Sequence, residues 1–291
     1  MVDNVTQNSK LQKILEKIEK STSDALIPIK FTLPGASLYG GKMNHVYIKP
    51  LLGKDEKLMA SSVIMKNVVD DNGKVVLDDL GNPKEEVDLE SVIGAILSIM
   101  KNNMYNEEGK NINVGDLFIQ DFLACYTMLQ YISYSPNNFV SLIKCPNEKC
   151  ELKTYQHSFS INDISVDESK KKEDDFLLEL PVSKSIVKIV PLRASNFVNV
   201  MEAKTNYFIE SFFMEEFDGE SLLPSEANEA LKILPLPDKE LIISKMKELL
   251  DYGIKEETKA ICPQCKTEKT IVLFEHSQVG GFNKLPFRFV I

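Results

Sequence analysis

Four of the five cysteines in this 291-residue chain fall into two short knuckles, and this pattern constrains the fold more than any other feature. The first knuckle runs from Cys145 to Cys150 (CPNEKC) and the second from Cys262 to Cys265 (CPQC). Four thiolates are the number that closes a structural, tetrahedral zinc site, and tight turns let backbone N–H groups point at the sulfur atoms. We therefore predict that these four residues bind one structural zinc ion that joins the two halves of the chain.

Two other interpretations of these cysteines remain open. Residues 151–261 separate the two pairs, whereas about 12 to 20 residues separate them in compact zinc modules, so the pairs could be unrelated buried thiols. Cys262 and Cys265 could instead form a redox motif, although such motifs open a helix and KTEKTIVLFEH, which follows here, is typical of a strand. Cys125 lies among apolar residues of a predicted helix and is expected to be a core thiol.

The composition indicates a folded protein without a membrane span. Hydrophobic residues make up 43% of the chain and charged residues 26%, which is ordinary globular usage. The net charge of -9 would repel a phosphate backbone, so a nucleic-acid partner is not favoured. No stretch approaches the roughly 20 apolar residues of a spanning helix, and the first residues lack the apolar core of a secretory signal, so we expect a cytosolic protein.

Turn signals and hydrophobic periodicity predict an α+β protein with four regions. Residues 1–26 are predicted to form an N-terminal helical arm, and residues 27–150 a first α+β module that ends in the first knuckle. Residues 151–175 are predicted to be a charged linker, in which VDESKKKEDD is typical of a solvated, mobile loop. Residues 176–291 then form a second α+β module with the second knuckle and an apolar C-terminal strand.

The first module is predicted to alternate strands and helices. Strands in IPIKFTLP and HVYIKP flank a glycine-rich turn, and a helix begins near Lys54 in KDEKLMASSVIMKNV. Turn signals at DDNG and LGNP predict an exposed hairpin. Two helices follow. The second lies in GDLFIQDFLACYTMLQYIS, and the apolar face of the first is formed by Leu89, Val92, Ile93, Ile96 and Met100.

The second half repeats this plan in shorter form. FTLPGASLYGGKMNHVYIKPLLGKDEKLM can be aligned with LELPVSKSIVKIVPLRASNFVNVM, since each has a strand ending in Leu-Pro, a turn, a strand ending in Pro-Leu and a helix. The helix with Asp121 and Tyr134 before Cys145 corresponds to the helix in PDKELIISKMKELLDYG before Cys262. Four landmarks in the same order predict an internal duplication, so the two modules are expected to be related.

Apolar residues near both ends of the sequence are candidate partner-binding residues. A stripe at helical spacing lies in NSKLQKILEKIEKS, and alternation in PFRFVI predicts a strand. The alternative is that each segment packs on the protein itself. The predicted partner-binding residues are Leu11, Ile14, Leu15, Ile18, Phe287, Phe289 and Ile291.

The sequence contains no pattern that supports an enzymatic function. ASLYGGKM resembles a phosphate-binding loop, but Ala36 replaces the first glycine and Met43 the metal-binding hydroxyl residue. VVDDNGKVVLDD departs from a calcium loop at both its first and its last ligand position. The three histidines are scattered, and neither a His-Glu-x-x-His motif nor a nucleophile elbow is present. We therefore expect a non-enzymatic protein with no catalytic residues.

The order of these landmarks resembles a known family. The resemblance is carried by the Leu-Pro turn with Tyr39, the strand ending in Lys49-Pro50-Leu51, the acidic helix start at residues 54–57, the helix ending in ISYSP and the Cys-Pro knuckle. This pattern resembles the baseplate hub and hub-assembly proteins of contractile-tailed, T-even-like bacteriophages. The likeness covers most of residues 27–150 and, through the repeat, much of residues 176–265.

The resemblance implies a structural or assembly protein of a phage tail baseplate hub. Its partners would be other tail or baseplate proteins, and it would occupy the host cytoplasm during assembly and the tail baseplate of the virion. A different class stays open, because a zinc ribbon can also present a surface to nucleic acid in transcription or replication. The residues around the knuckles carry mixed charges, which favours the assembly protein over that alternative.

Overall fold

A computed structural model of the protein describes residues 27–62, 64–70, 73–77, 81–134, 139–159, 165–197, 200, 207–255 and 257–272. The predicted N-terminal arm and the apolar end of the chain lie outside these residues. The partner-binding predictions that stay untested for this reason are Leu11, Ile14, Leu15, Ile18, Phe287, Phe289 and Ile291.

The predicted α+β class is confirmed, because short helices alternate with small antiparallel sheets. Among the described residues, the α-helices with both ends defined are α1 (Gly53–Ser62), α2 (Leu89–Asn103), α3 (Ile119–Tyr134), α4 (Pro224–Ile233) and α5 (Leu236–Leu250). The strands of the first half are β1 (Ile29–Thr32), β2 (His45–Ile48), β3 (Met65–Asn67), β4 (Glu85–Val87), β5 (Met104–Tyr105), β6 (Phe139–Lys144) and β7 (Thr154–Phe159). The later strands are β8 (Val166–Asp167), β9 (Leu177–Glu179), β10 (Ile186–Ile189), β11 (Met214–Phe217), β12 (Glu220–Ser221), β13 (Gly253–Ile254), β14 (Glu257–Ile261) and β15 (Glu268–Val272). No helix in the described ranges is long and apolar enough to span a bilayer.

The first half is built on a three-stranded sheet with the order β1-β2-β5. Val46 and Ile48 alternate with more exposed residues along β2 and point into the core, as the period of two requires. The glycine-rich turn between β1 and β2 contains a short 3-10 helix, after which Gly40 adopts a φ of 58° and Gly41 a φ of 80°. Glycine is favoured at both positions because side chains disfavour this left-handed conformation.

Helix α1 is shorter than its sequence predicts. The predicted helix ran through KDEKLMASSVIMKNV, whereas α1 ends at Ser62 and residues 65–67 form β3. The backbone N–H of Asp88 donates to the carbonyl of Ile64, and Lys66 pairs with Glu86 in β4. Pairing with a distant strand therefore replaces the last turns of the predicted helix, which propensity alone cannot anticipate.

The second half contains a four-stranded sheet with the order β12-β11-β10-β9. Its Leu-Pro turn makes the same contact as the Leu-Pro turn of the first half. The N–H of Gly35 donates to Asp121 Oδ1 at 2.7 Å, and the N–H of Val182 donates to Asp238 Oδ1 at 2.8 Å. Each aspartate is the third residue of its helix, α3 or α5. These equivalent contacts are consistent with the predicted duplication, which stays a prediction.

The two halves share one hydrophobic core in addition to the cysteine site at which their hairpins meet. Buried residues from Leu33 to Tyr252 belong to a single cluster that spans both halves. The N–H of Ile119 donates to the carbonyl of Leu192 at 2.7 Å, and the N–H of Ala194 donates to the carbonyl of Leu117 at 2.8 Å. The halves are therefore held together by apolar burial and backbone pairing as well as by the cysteines.

Residues of the charged linker contact both halves of the chain. Within residues 151–175, β8 pairs with β13, and the N–H of Ser169 donates to the carbonyl of Pro34 at 2.8 Å. The Ser37 hydroxyl donates to the carbonyl of Lys171 at 2.6 Å, and Lys171 forms an ion pair with Glu248. The charged side chains remain largely exposed, so composition correctly predicts their solvation while the backbone is fixed by distant partners.

A buried carboxylate lies where the two halves meet. Asp121 is fully buried and accepts hydrogen bonds from the Tyr39 hydroxyl at 2.9 Å and the Tyr252 hydroxyl at 3.4 Å. The Tyr39 oxygen in turn accepts the N–H of Phe118 at 2.8 Å. Burial raises the pKa of Asp121 to about 6, although the hydrogen bonds from Gly35, Tyr39 and Tyr252 act in the opposite direction.

This network predicts a pH dependence of stability. The pKa of Asp121 is higher in the folded than in the unfolded protein, so its contribution is fully present below about pH 4 and is lost as the pH rises through about 6. Relative to Asp121→Asn, which does not titrate, the unfolding free energy of the wild type should fall by up to about 3 kcal/mol between pH 4 and pH 7. Urea unfolding at several pH values measures this difference.

The matched control is Asp174→Asn, which changes an exposed carboxylate. This variant keeps the Asp121 carboxyl group, so the fall in its unfolding free energy relative to Asp121→Asn between pH 4 and pH 7 should remain. Parallel profiles for the wild type and Asp121→Asn would contradict the assignment of the raised pKa to Asp121.

Candidate metal centre

Two β-hairpins carry the four predicted ligands. Strands β6 and β7 pair in the register Ile143↔Tyr155, and β14 pairs with β15 in the register Ile261↔Glu268. Cys145 directly follows β6 and Cys262 directly follows β14, so both knuckles lie in the connections between paired strands. Antiparallel pairing thus brings each pair of cysteines to the end of its own hairpin.

Backbone hydrogen bonds fix the shape of each knuckle. The N–H of Cys145 donates to the carbonyl of Lys153 at 2.9 Å, and the N–H of Cys150 donates to the carbonyl of Asn147 at 3.0 Å. In the second knuckle, the N–H of Cys262 donates to Thr267 and the N–H of Lys266 donates back to Cys262, both at 3.0 Å. These closed turns place both sulfur atoms of a pair on the same side of the hairpin.

The structure brings all four predicted cysteines together. The sulfur atoms of Cys145, Cys150, Cys262 and Cys265 all lie within 4.8 Å of one another. Across the hairpins, Cys145 Sγ lies 3.6 Å from Cys265 Sγ, and Cys150 Sγ lies 3.9 Å from Cys262 Sγ. Four sulfurs around one tetrahedral ion at about 2.3 Å would be separated by roughly 3.8 Å, so the arrangement fits a single metal ion. The alternative of two unrelated cysteine pairs is wrong.

The electrostatics of the four thiols differ. Cys145, Cys150 and Cys262 are buried and Cys265 is partly exposed. Burial raises the pKa of the Cys145 and Cys150 thiols, because the apolar surroundings disfavour a thiolate. Hydrogen bonding between Cys265 Sγ and the Thr267 hydroxyl, 3.2 Å away, and the N–H of Thr267 lower the pKa of Cys265 to about 6. A metal cation would supply the positive charge that the buried thiolates need.

Direct contacts between the hairpins support the site, and sequence reasoning missed them. Gln264 Oε1 accepts the N–H of Leu152 at 2.8 Å and lies 3.4 Å from Cys150 Sγ. Its amide nitrogen donates to Glu151 at 3.3 Å. Gln264 occupies the variable position of the Cys-Pro-x-Cys knuckle, so the only signal in the sequence was a polar residue capable of both donating and accepting hydrogen bonds.

Around the thiols the hairpins share a small apolar cluster that is separate from the main core. Its buried members besides cysteines are Ile143, Tyr155, Ala260 and Ile271. Among the residues that the structure describes, the Tyr155 hydroxyl is buried without a hydrogen-bond partner.

Three further predictions concern Cys125, the redox alternative for the second knuckle, and the glycine-rich turn. Cys125 is fully buried on α3, outside the cluster of four thiols, and burial raises its pKa, as expected of a core thiol. The strand predicted after Cys265 is β15, which favours a metal knuckle over a redox motif at the start of a helix. The glycine-rich turn leads into β2, so it lacks the helix of a phosphate-binding loop.

Comparison of the chain with protein-family models, with curated proteins and with solved structures gives no match. Any function for this chain must therefore be argued from its own residues and geometry.

The geometry predicts that the thiols hold the hairpins together through a metal ion. Replacing Cys145 or Cys262 by Ser should reduce bound metal from about one ion per chain to near zero, because three thiolates and a hydroxyl bind more weakly. Hydrogen exchange should then lose protection in residues 139–159 and 257–272, whereas α3 and α5 should stay protected because the main core is continuous.

Elemental analysis of protein purified without chelator measures the metal, and the matched control is Cys125→Ala. This control also removes a buried thiol but should keep the full metal content. Equal loss of metal in the control, or unchanged metal in the two Ser variants, would contradict the site.

Proposed function

We propose that this chain is a non-enzymatic structural or assembly protein of a phage tail baseplate hub, with one zinc ion bound by Cys145, Cys150, Cys262 and Cys265. The observation that carries the metal part of this proposal is the convergence of four sulfur atoms from two hairpins within 4.8 Å. The resemblance of the sequence landmarks to hub and hub-assembly proteins carries the biological part.

Zinc is the metal that suits this donor set best. Thiolates are soft ligands, and a tetrahedral set of four sulfurs is typical of zinc or of iron in iron–sulfur proteins. Zinc has no redox chemistry, and four protein ligands leave no position for water or substrate. The ion would therefore add folding free energy to the hairpins and would not take part in a reaction.

A role as a scaffold agrees with the presence of one main core and one separate cysteine cluster in the chain. Both halves pack on one core, and the cysteine cluster fixes two further hairpins against each other. Such a protein presents surfaces of defined relative position, which is what an assembly component needs. Under this proposal the partners are other tail or baseplate proteins, met first in the host cytoplasm and then in the tail baseplate of the virion.

The contacts of the lysines near the knuckles favour protein partners over nucleic acid. Lys259 pairs with Glu268 at 2.8 Å, Lys153 Nζ donates to the carbonyl of Glu148 at 2.8 Å, and Lys269 Nζ donates to the carbonyl of Lys144 at 3.3 Å. Proteins bind a nucleic-acid backbone through Lys and Arg side chains that displace the counterions from its phosphates. These local contacts and the net charge of -9 favour a protein partner over a phosphate backbone.

The first experiment identifies the metal and the partners of the protein in its native source. We expect affinity-tagged protein to carry about one zinc ion and to co-purify with tail or baseplate proteins identified by mass spectrometry. The matched control is the same chain with Cys145 and Cys262 both changed to Ser. Co-purification with transcription or replication proteins would overturn the biological proposal, and protein without zinc would overturn the metal assignment.

The second experiment separates the hub protein from the alternative zinc-ribbon factor. Binding to a mixed pool of DNA and RNA is measured as the salt concentration is raised. We expect no binding at physiological salt, because the chain is acidic. Tight binding that weakens steeply with salt would instead favour a nucleic-acid-binding accessory factor.

A further inference from the structure

A cleft of about 310 Å³ lies where the two halves of the chain meet. Its apolar floor is formed by Leu38 and Phe118 of the first half and by Phe176 and Val190 of the second, and all four side chains are buried. Ligand-binding pockets typically have volumes of about 300–1,000 Å³ and combine apolar walls with a few polar groups that orient the ligand. The cleft therefore has the size and the apolar lining to take a small ligand or a side chain of a partner.

Arg193 lines this cleft and is held in place by neighbours from the first half. Its backbone is bridged to that of Phe118, and its guanidinium carbon lies 5.2 Å from the centre of the Phe118 ring. Its Nη1 donates a hydrogen bond to the backbone carbonyl of Asp116 at 3.0 Å. Because these contacts restrict a long side chain before any ligand arrives, the entropic cost of ordering it on binding is reduced.

The guanidinium of Arg193 has no carboxylate partner within the part of the chain that the structure describes. Asp116, Glu173 and Glu215 line the same cleft, yet none of their carboxylate oxygens lies within 4.0 Å of it. Arginine side chains are rarely withdrawn from water unless they are paired, and Arg193 is partly buried. The hydrogen bond to Asp116 uses one nitrogen, so the other guanidinium nitrogens can donate to an anion in the cleft.

The other charges in the cleft select the kind of anion. Lys188 lies 2.7 Å from Glu215 and 2.9 Å from Glu216, so its ammonium group is balanced by carboxylates of its own sheet. Glu173 and Asp116 are exposed, and their negative charges repel an incoming anion more strongly as the charge of that anion rises. A phosphate group carries roughly two negative charges at neutral pH, whereas a carboxylate carries a single one. The cleft therefore favours a carboxylate over a phosphate.

We infer that this cleft is a binding site for an organic carboxylate with an apolar body. The carboxylate pairs with Arg193 through two parallel N–H···O hydrogen bonds, the geometry that a guanidinium fork favours. The apolar body packs on Leu38, Phe176 and Val190. A free aromatic acid has this chemistry, and so does an acidic side chain beside an apolar residue in a partner protein. The cleft is separate from the cluster of four cysteines, so this inference does not rest on the metal.

The first test compares a carboxylate with its neutral amide. Phenylacetate and phenylacetamide are titrated separately into the full-length, isotope-labelled wild type, and the backbone amide NMR shifts are followed. We expect saturable shifts at residues 38–43, 116–118 and 188–193. The Kd should be about tenfold lower for the acid, because a hydrogen bond to a charged group is stronger than one to a neutral group. Binding of both compounds with equal Kd values would overturn the inference.

A second comparison identifies the source of the ligand. The blocked dipeptide acetyl-Phe-Glu-amide and its Gln counterpart are titrated under the same conditions, and inorganic phosphate is titrated as a more highly charged anion. Saturation by phenylacetate, by the acidic dipeptide or by both supports the inference, and the tighter of the two shows whether a free acid or a partner side chain is preferred. Saturation by neither, or tighter binding of phosphate than of both carboxylates, would contradict it.

The variant Arg193→Gln removes the positive charge from the cleft. The Kd of the carboxylate probe should rise about tenfold, to that of its neutral counterpart, whose own Kd should not change. The matched control is Lys57→Gln, which removes an exposed positive charge on α1 outside the cleft and should leave both Kd values unchanged. A preference for the carboxylate that survives in Arg193→Gln would rule out the assigned role of Arg193. If Arg193→Gln does not fold, the comparison of acid with amide in the wild type decides, since it needs no variant.

Discussion

The convergence of four sulfur atoms from two β-hairpins is the contact on which the packing of hairpin β6–β7 against hairpin β14–β15 depends. A two-stranded hairpin is marginally stable by itself in water. Hairpins β6–β7 and β14–β15 share only a small apolar cluster, in which Ile143, Tyr155, Ala260 and Ile271 surround the thiols. Four thiols that could hold one metal ion lie within this cluster, so binding of a metal would add folding free energy to the unit.

The rest of the protein follows a different physical principle. Its main core is continuous across both halves, and the pairing of residues 117–119 with residues 192–194 adds backbone hydrogen bonds between them. Burial of this size stabilises a fold without a metal. The protein thus has two levels of order, a body held by apolar burial and a smaller unit in which two hairpins meet at four clustered thiols. For the proposed scaffold, the second level fixes the orientation of one hairpin relative to the other.

Local patterns in the sequence predicted the parts of this structure that depend on neighbouring residues. The apolar face with Ile93, Ile96 and Met100 identified α2, and the two Cys-Pro knuckles identified the four thiols that the structure brings together. The features that sequence analysis missed depend on partners far along the chain. Gln264 contacts Leu152 across the hairpins, and the linker is fixed by Pro34, contacts that no periodicity or propensity encodes.

The asymmetry between the two Leu-Pro turns explains how two similar halves come to share one core. In the first turn, a side chain at Gly35 would place its Cβ 2.5 Å from Asp121 Oδ2 and 2.8 Å from the ring of Tyr252, so only glycine lets the second half approach. In the second turn, Val182 occupies the corresponding position and is 54% exposed, with its N–H on Asp238. An aspartate therefore accepts a backbone N–H from each turn. At the turn with Gly35, the aspartate also accepts a hydrogen bond from Tyr252 of the other half. If the halves arose by duplication, the residue at this position, glycine or valine, decides which turn becomes an internal interface and which remains on the surface.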